Sequence, residues 1–280
     1  MKSIISVFII LFLFSVCKGQ NSFDPSKHDW TANRLVGKVK MVKEITYEGD
    51  AVNIKLIKKT EEATFNENGY IIKTYSLESY EKIASISSYS YDRNNKIKEA
   101  KMFDSENNEI MKVNYTYSKD GKETDTKVES KSMNITYSEK VINSYNKANQ
   151  LVGTQTLQDG KVRSTQNIQY SSDQKITEEK RFDSSGTLNS KIIKKFDKKD
   201  NLIEKLEYKG SDAKDLAFKV LYKYNDKNHL VEITKYNNDG SIKYKDSLKY
   251  LYDKTGNWIK KTEFSNNKIS TVTERKIEYF

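Results

Sequence analysis

Tyr250-Leu251-Tyr252-Asp253-Lys254-Thr255-Gly256-Asn257-Trp258 is the stretch that decides the architecture. An aromatic residue, Tyr252, is followed by a side chain that accepts backbone hydrogen bonds. Two polar residues come next, then a residue that tolerates a left-handed backbone, then an apolar one two places on. The same order starts at Phe65, Tyr91, Tyr117, Tyr145, Tyr170, Phe196 and Tyr224. The spacings up to Tyr252 are 26, 26, 28, 25, 26, 28 and 28. So regular a period means one structural unit repeated along the chain.

With each anchoring aromatic at position zero, position +1 holds Asn66, Asp92, Ser118, Asn146, Ser171, Asp197, Asn225 and Asp253. All accept a hydrogen bond from the backbone two residues on, which starts a tight turn. Position +4 is Gly, Asn or Asp in every repeat but one, where it is Gln174, as a turn that ends left-handed demands. Positions +6 and +12 are apolar except in the repeat of Tyr117, where they are Glu123 and Glu129. Position −2 is often tyrosine, at Tyr89, Tyr115, Tyr222 and Tyr250. Even spacing puts these residues on one face of a strand, and the intervening Lys, Glu, Ser and Thr on the other. Each repeat therefore reads as two strands of roughly 8 residues joined by a polar turn. Runs such as Lys243-Tyr244-Lys245-Asp246-Ser247-Leu248 alternate with period two and carry no helical stripe.

The expected fold is all-β: a repetitive antiparallel β-meander forming an elongated, curved or partly rolled single sheet of about 16 strands. Twist supplies the curl, with Tyr, Phe, Ile and Leu on the concave face and polar residues on the convex one. Three segments follow: 1–19 as signal peptide, 20–38 as a lead-in with a short helix near Trp30, and 39–280 as one repeat domain. The apolar run Val7 to Phe14 is too short to span a bilayer as a helix and has the layout of a leader. Export to periplasm, cell surface or medium is expected. The alternative is a lipoprotein anchored through Cys17, which Val16 before it and Lys18 after it disfavour.

Cys17 is the only cysteine, so the chain beyond the leader has no disulfide and no thiolate site. Without Lys2 and Lys18 it keeps 47 basic against 39 acidic residues. Lysine dominates and is interleaved with acid, the pattern of a solubilising surface and not of a nucleic-acid footprint. The two histidines, His28 and His229, have no metal-ligand spacing, and no Gly-rich phosphate loop is present. No cofactor or metal is expected. A membrane barrel is disfavoured because charges occupy both faces of many strands and Phe280 shares its face with Lys276 and Glu278.

Tyr91-Asp92 and Tyr252-Asp253 with Gly256-Asn257 resemble the YD repeats of RHS-type proteins, over about residues 60–280. The resemblance implies a curved antiparallel sheet, with carbohydrate binding or surface interaction as the associated roles, and no catalytic residues. The reading is a non-catalytic binding or scaffold protein of the cell envelope with polysaccharide as the favoured partner. Its candidate contacts are Trp258, Tyr250 and Tyr252. A protein-interaction module that pairs through a sheet edge or end with an envelope protein is the second reading. A hydrolase using surface carboxylates is the third.

Overall fold

The computed structural model describes residues 29–49, 56–78, 83–209 and 214–280; the expected leader, with Cys17, lies outside them. After a four-residue helix, α1 (Asp29–Ala32), come β1 (Val39–Glu48), β2 (Leu56–Phe65), β3 (Ile71–Glu78), β4 (Ile83–Tyr91), β5 (Ile97–Phe103) and β6 (Glu109–Tyr117). The middle of the chain forms β7 (Glu123–Ser130), β8 (Ile135–Tyr145), β9 (Leu151–Gln158), β10 (Lys161–Tyr170), β11 (Ile176–Phe182) and β12 (Leu188–Phe196). The last third forms β13 (Leu202–Lys209), β14 (Asp215–Tyr224), β15 (Leu230–Tyr236), β16 (Ile242–Tyr252), β17 (Trp258–Ser265) and β18 (Lys268–Tyr279).

Every strand pairs antiparallel with the next, and β1 also pairs with β18. The sheet is therefore a closed 18-stranded barrel, not the expected open or partly rolled sheet of about 16 strands. The eight repeats do supply sixteen strands, β2 to β17; the chain ends supply the other two. Within repeats, Phe65 lies opposite Ile71, Phe196 opposite Leu202, Tyr224 opposite Leu230 and Tyr252 opposite Trp258. Tyr279 lies opposite Val39 in the same way, with the same register shift just beyond. So β18 and β1 make a ninth hairpin without a turn, with Tyr279 as its anchor. Closure leaves no unpaired edge.

The turn rules act at single-residue precision. All eight +4 residues have positive φ, from 58° at Asn149 to 100° at Gly256, and Gln174 adopts 60° with the rest. Where +1 is Asn or Asp, its Oδ1 accepts from the N–H groups two and four residues on, as at Asp197 from Lys199 (2.8 Å) and Asn201 (2.8 Å). A one-residue bulge then follows +6. Where +1 is Ser, the turn itself holds the extra residue. Ser118 N–H bonds the Glu123 carbonyl and Tyr117 pairs with Thr124; Ser171 N–H bonds the Ile176 carbonyl and Tyr170 pairs with Thr177. Glu123 thus sits at a turn end beside Lys140 (2.9 Å), which is why this repeat tolerates a charge at +6.

The bulge changes which residues face inward. Beyond it the side chains at +9 and +11 join the inner face, and those at +12 go outside, against the even-spacing expectation. Val42, Glu44, Ala63, Thr74, Ser87, Val113, Val128, Glu179, Ile192, Lys194, Val220 and Arg275 are buried and share that inner face. Tyr208 and Phe264, both at +12, lie outside under the ammonium groups of Lys191 (4.3 Å) and Lys249 (5.1 Å).

Successive repeats are latched at the rim. The hydroxyls of Tyr91, Tyr117, Tyr170 and Tyr224 donate to the carbonyls of Ile71 (2.6 Å), Ile97 (2.9 Å), Leu151 (2.8 Å) and Leu202 (2.9 Å). Phe65 has no hydroxyl for the corresponding carbonyl of Val39. The Trp30 indole N–H takes that place at 2.8 Å, and its ring packs on Phe65.

Gln174 is the one +4 side chain that nature rarely places left-handed, at a cost of about 1–2 kcal/mol relative to glycine. Gln174→Gly is expected to raise stability by about 0.5–1 kcal/mol once glycine's greater unfolded-state freedom is subtracted. Urea denaturation checks it; an unchanged or lowered midpoint contradicts this account of the turn.

Candidate functional site

The turns after each anchor all open at one mouth of the barrel, and residues 29–38 lie across it. Asp29 Oδ2 accepts the Ile71 N–H (2.6 Å), and Trp30 N–H bonds the Gly69 carbonyl (3.2 Å). Further along, Arg34 Nη2 donates to Asn201 Oδ1 (3.1 Å) and its guanidinium sits 5.5 Å from the Tyr224 ring. Asn257 then holds the backbone of Val36 on both sides, accepting its N–H (2.8 Å) and donating to its carbonyl (2.7 Å). The segment therefore bridges the β2–β3, β12–β13 and β16–β17 turns before entering β1. Gly37, with φ of 83°, makes the bend under Thr255 and Tyr279.

Tyr250, Tyr252 and Trp258 come together at this mouth, with His229. Ring centroids are 6.1 Å apart for Tyr250–Tyr252 and 6.1 Å for the T-shaped pair Tyr250–Trp258. His229 lies 5.3 Å from Tyr250 and 5.4 Å from Tyr252. Their polar ends are engaged. Tyr250 donates to the Leu230 carbonyl (2.8 Å), and Tyr252 Oη receives Asn225 Nδ2 (2.8 Å) and contacts His229 Nδ1 (3.1 Å). Trp258 is only 4% exposed, with the Arg275 guanidinium 3.4 Å above its ring. Arg275 in turn donates through Nε to Glu44 Oε1 (3.0 Å), a buried ion pair between β18 and β1. The three rings thus form a packed cluster around the closing seam and present no open row. The sequence gives no signal for the Glu44–Arg275 pair, and for His229 only its place in a turn.

The inner wall below is divided by composition. At +9 and +11 the first four repeats carry Thr74 and Ser76, Ala100 and Met102, Thr126 and Val128, Thr154 and Thr156, all uncharged and mostly hydroxyl-bearing, with Tyr89, Tyr115 and Tyr137 on the same face and Glu78 and Glu139 as its charges. The last four carry Glu179 and Arg181, Lys205 and Glu207, Ile233 and Lys235, Lys261 and Glu263. These charges pair with each other or with a neighbouring strand: Lys194–Glu179, Lys205–Glu207 and Lys261–Glu263. The apolar clusters are local to neighbouring strands, around β1–β3, β5–β8 and β13–β16. Among the described residues no group of three or more His, Cys, Asp or Glu is placed to hold a metal.

The outer wall is ionic. Glu99, Glu204 and Glu232, each at +8, bridge two lysines at 2.8–3.3 Å: Lys101 of its own strand and Lys112 of the next for Glu99, and lysines of both flanking strands for the others, Lys195 and Lys219, Lys223 and Lys245. No described helix is long and apolar enough to cross a membrane.

No family model and no curated protein matches the chain. Among solved structures it is similar to a porin-like protein from Bacteroides uniformis, with 10% identity and a TM-score of 0.44, covering 87% of this chain and 99% of that one. A likeness that distant says nothing about what this chain binds or where it resides.

Glu44→Gln leaves Arg275 buried against Trp258 without its counter-charge. The expected loss is about 3–5 kcal/mol, read as a lower denaturation midpoint, because an uncompensated buried charge costs more than the pair contributes. His229 gives a pH signature. Burial, then Arg34, Arg275 and Lys227, push its pKa down to about 4 from 6.5. The unfolded chain therefore binds a proton that the folded one refuses, and stability falls as pH drops from about 6.5 to about 4 and is flat above. His229→Phe is expected to lessen the stability difference between pH 5 and pH 8; an identical difference in both proteins refutes the assignment.

Proposed function

We propose that the protein is an exported, non-catalytic β-barrel with water on both sides of its wall that holds a hydroxylated ligand, a glycan, against its inner face. The observation that carries this is the inner wall itself. Eighteen strands lie well beyond the about 8 at which side chains fill a barrel, and barrels of about 16–18 strands leave an aqueous lumen. A wall of Thr, Ser and Tyr offers both donors and acceptors to sugar hydroxyls, and aromatic faces to sugar rings. The leader-like residues 1–19 support export, and the aromatic–Asx turn repeat supports kinship with the YD-type repeats.

The outer Lys–Glu–Lys bridges argue that the barrel does not span a bilayer. Each lysine facing hydrocarbon at the midplane costs about 2–4 kcal/mol, and these bridges recur around the wall. A protein-interaction module is the second reading, but closure removes the free edge it was to use; the mouths and the outer wall remain for it.

The test is binding of the chain without its leader, residues 20–280, to an array of polysaccharides at two salt concentrations, after purification without detergent. Expected are a protein that stays in the aqueous phase and salt-resistant binding to a glycan class. Dependence on detergent contradicts the water-exposed wall. Absence of any glycan binding contradicts the ligand class and leaves the interaction module.

A further inference from the structure

Among paired inner-wall charges, one pair of side chains stands apart, on β15 and β16 toward the mouth opposite residues 29–38. In the other three repeats with a charged inner wall, +9 and +11 hold opposite charges; here they hold Ile233 and Lys235. Lys235 consequently has no carboxylate beside it on its own strand. Its ammonium lies 3.8 Å from the centroid of Phe218, whose ring is also 5.4 Å from Lys205 Nζ. That contact offsets part of the charge but supplies no oxygen to its N–H groups. Glu207, two strands away on β13, is held by Lys205 at 3.0 Å. Burial first, and then Lys243 and the other lysines around it, Lys205 and Lys209, hold the Lys235 pKa below the usual lysine value, with Glu207 acting the other way.

On the adjacent strand Asp246 is the complement. Ile233 lies opposite Asp246 and Lys235 opposite Tyr244, so Lys235 and Asp246 are diagonal neighbours on the same face, about 7–8 Å apart at Cα. They form no ion pair, and Asp246 Oδ1 is buried without a hydrogen-bond partner. Tyr244, between them, has its hydroxyl pKa raised by burial and by the Asp246 charge. A cation with free donors and a carboxylate oxygen with a free acceptor site are thus held near each other and kept apart. A buried polar atom left this way costs free energy that a bound group with matching chemistry recovers.

We propose that this group of side chains, Lys235, Asp246, Tyr244 and Phe218 on the inner wall of β14–β16, is the binding site for an acidic sugar unit, its carboxylate on Lys235 and a ring hydroxyl donating to Asp246. The excess of lysine here selects an anionic over a neutral ligand, and one carboxylate suffices to orient hydroxyls. The inference rests on the lumenal glycan reading and specifies its charge class and its site.

The experiment is isothermal titration of the full chain without its leader with two oligosaccharide series, one neutral (β-glucan) and one carboxylated (polygalacturonate), for wild type, Lys235→Met, Lys235→Arg and Asp246→Asn. Circular dichroism melts check that the variants fold. Wild type is expected to bind the carboxylated series more tightly. Lys235→Met is expected to lose about 10–100-fold in affinity for it with little change for the neutral series. Lys235→Arg is expected to keep most of the affinity, and Asp246→Asn to weaken both. Carboxylated binding that is indifferent to Lys235→Met overturns this site. So does preference for the neutral series, which leaves the lumenal glycan reading standing. Binding of neither series overturns both.

Discussion

The pairing of Val39 with Tyr279 is the contact on which the rest of the molecule depends. Sixteen strands from eight repeats would leave two exposed edges, each a row of unpaired N–H and C=O groups open to another chain. The chain ends close that gap by building a ninth repeat from two halves, with the bulge and anchor of the other eight. Around this seam lie the features with the greatest burial and charge: Val39, fully buried; the Glu44–Arg275 ion pair; and Thr46 Oγ1 against Thr273 Oγ1 at 3.1 Å. Trp30 completes the pattern by giving Val39 the hydrogen bond that Phe65 has no hydroxyl to give.

A buried ion pair is weak support for stability on energetic grounds, since desolvation offsets much of its Coulombic gain. Its position gives it a different use. A one-residue slip of β1 against β18 would turn every inner side chain of that strand outward, and would separate Glu44 from Arg275 in a place where neither finds another partner. In the other hairpins a short turn fixes the register. At the seam there is no turn, and a charged pair with fixed geometry stands where the turn's constraint is missing.

Much of this was legible in the residues and some of it was not. The eight hairpins, their Asx turns and the left-handed +4 positions follow from local chemistry, and the strands fall where the anchors place them. Closure has no local signal, because its partners are 240 positions apart and Tyr279 reads as one more strand end. The inner and outer faces were lost to one residue. A bulge after +6 moves Tyr208 and Phe264 outside and brings Lys205, Glu207 and Lys235 to the inner face, so a strict period of two misassigns everything beyond it. The same limit applies to the site. Trp258, Tyr250 and Tyr252 are conspicuous as aromatics, yet the structure uses their faces and hydroxyls for packing around Arg275 and His229. Lys235 was visible only as one lysine among many. It becomes distinctive once the bulge register is known and its repeat is seen to have Ile233 where a counter-charge belongs.

The wall chemistry then follows from where charge can be afforded. Outside, Glu99, Glu204 and Glu232 each tie two strands through paired lysines that remain partly in water, so little desolvation opposes them. Inside, charges at +9 and +11 are confined to β11, β13, β15 and β17, and nearly all are neutralised within one strand or across two. In the same positions β3, β5, β7 and β9 carry only hydroxyl-bearing or apolar side chains. A wall that only had to be stable gains nothing from this division, since either pattern repeated eight times would close the same barrel. A lumen that must hold one end of a polar molecule differently from the other has a use for it.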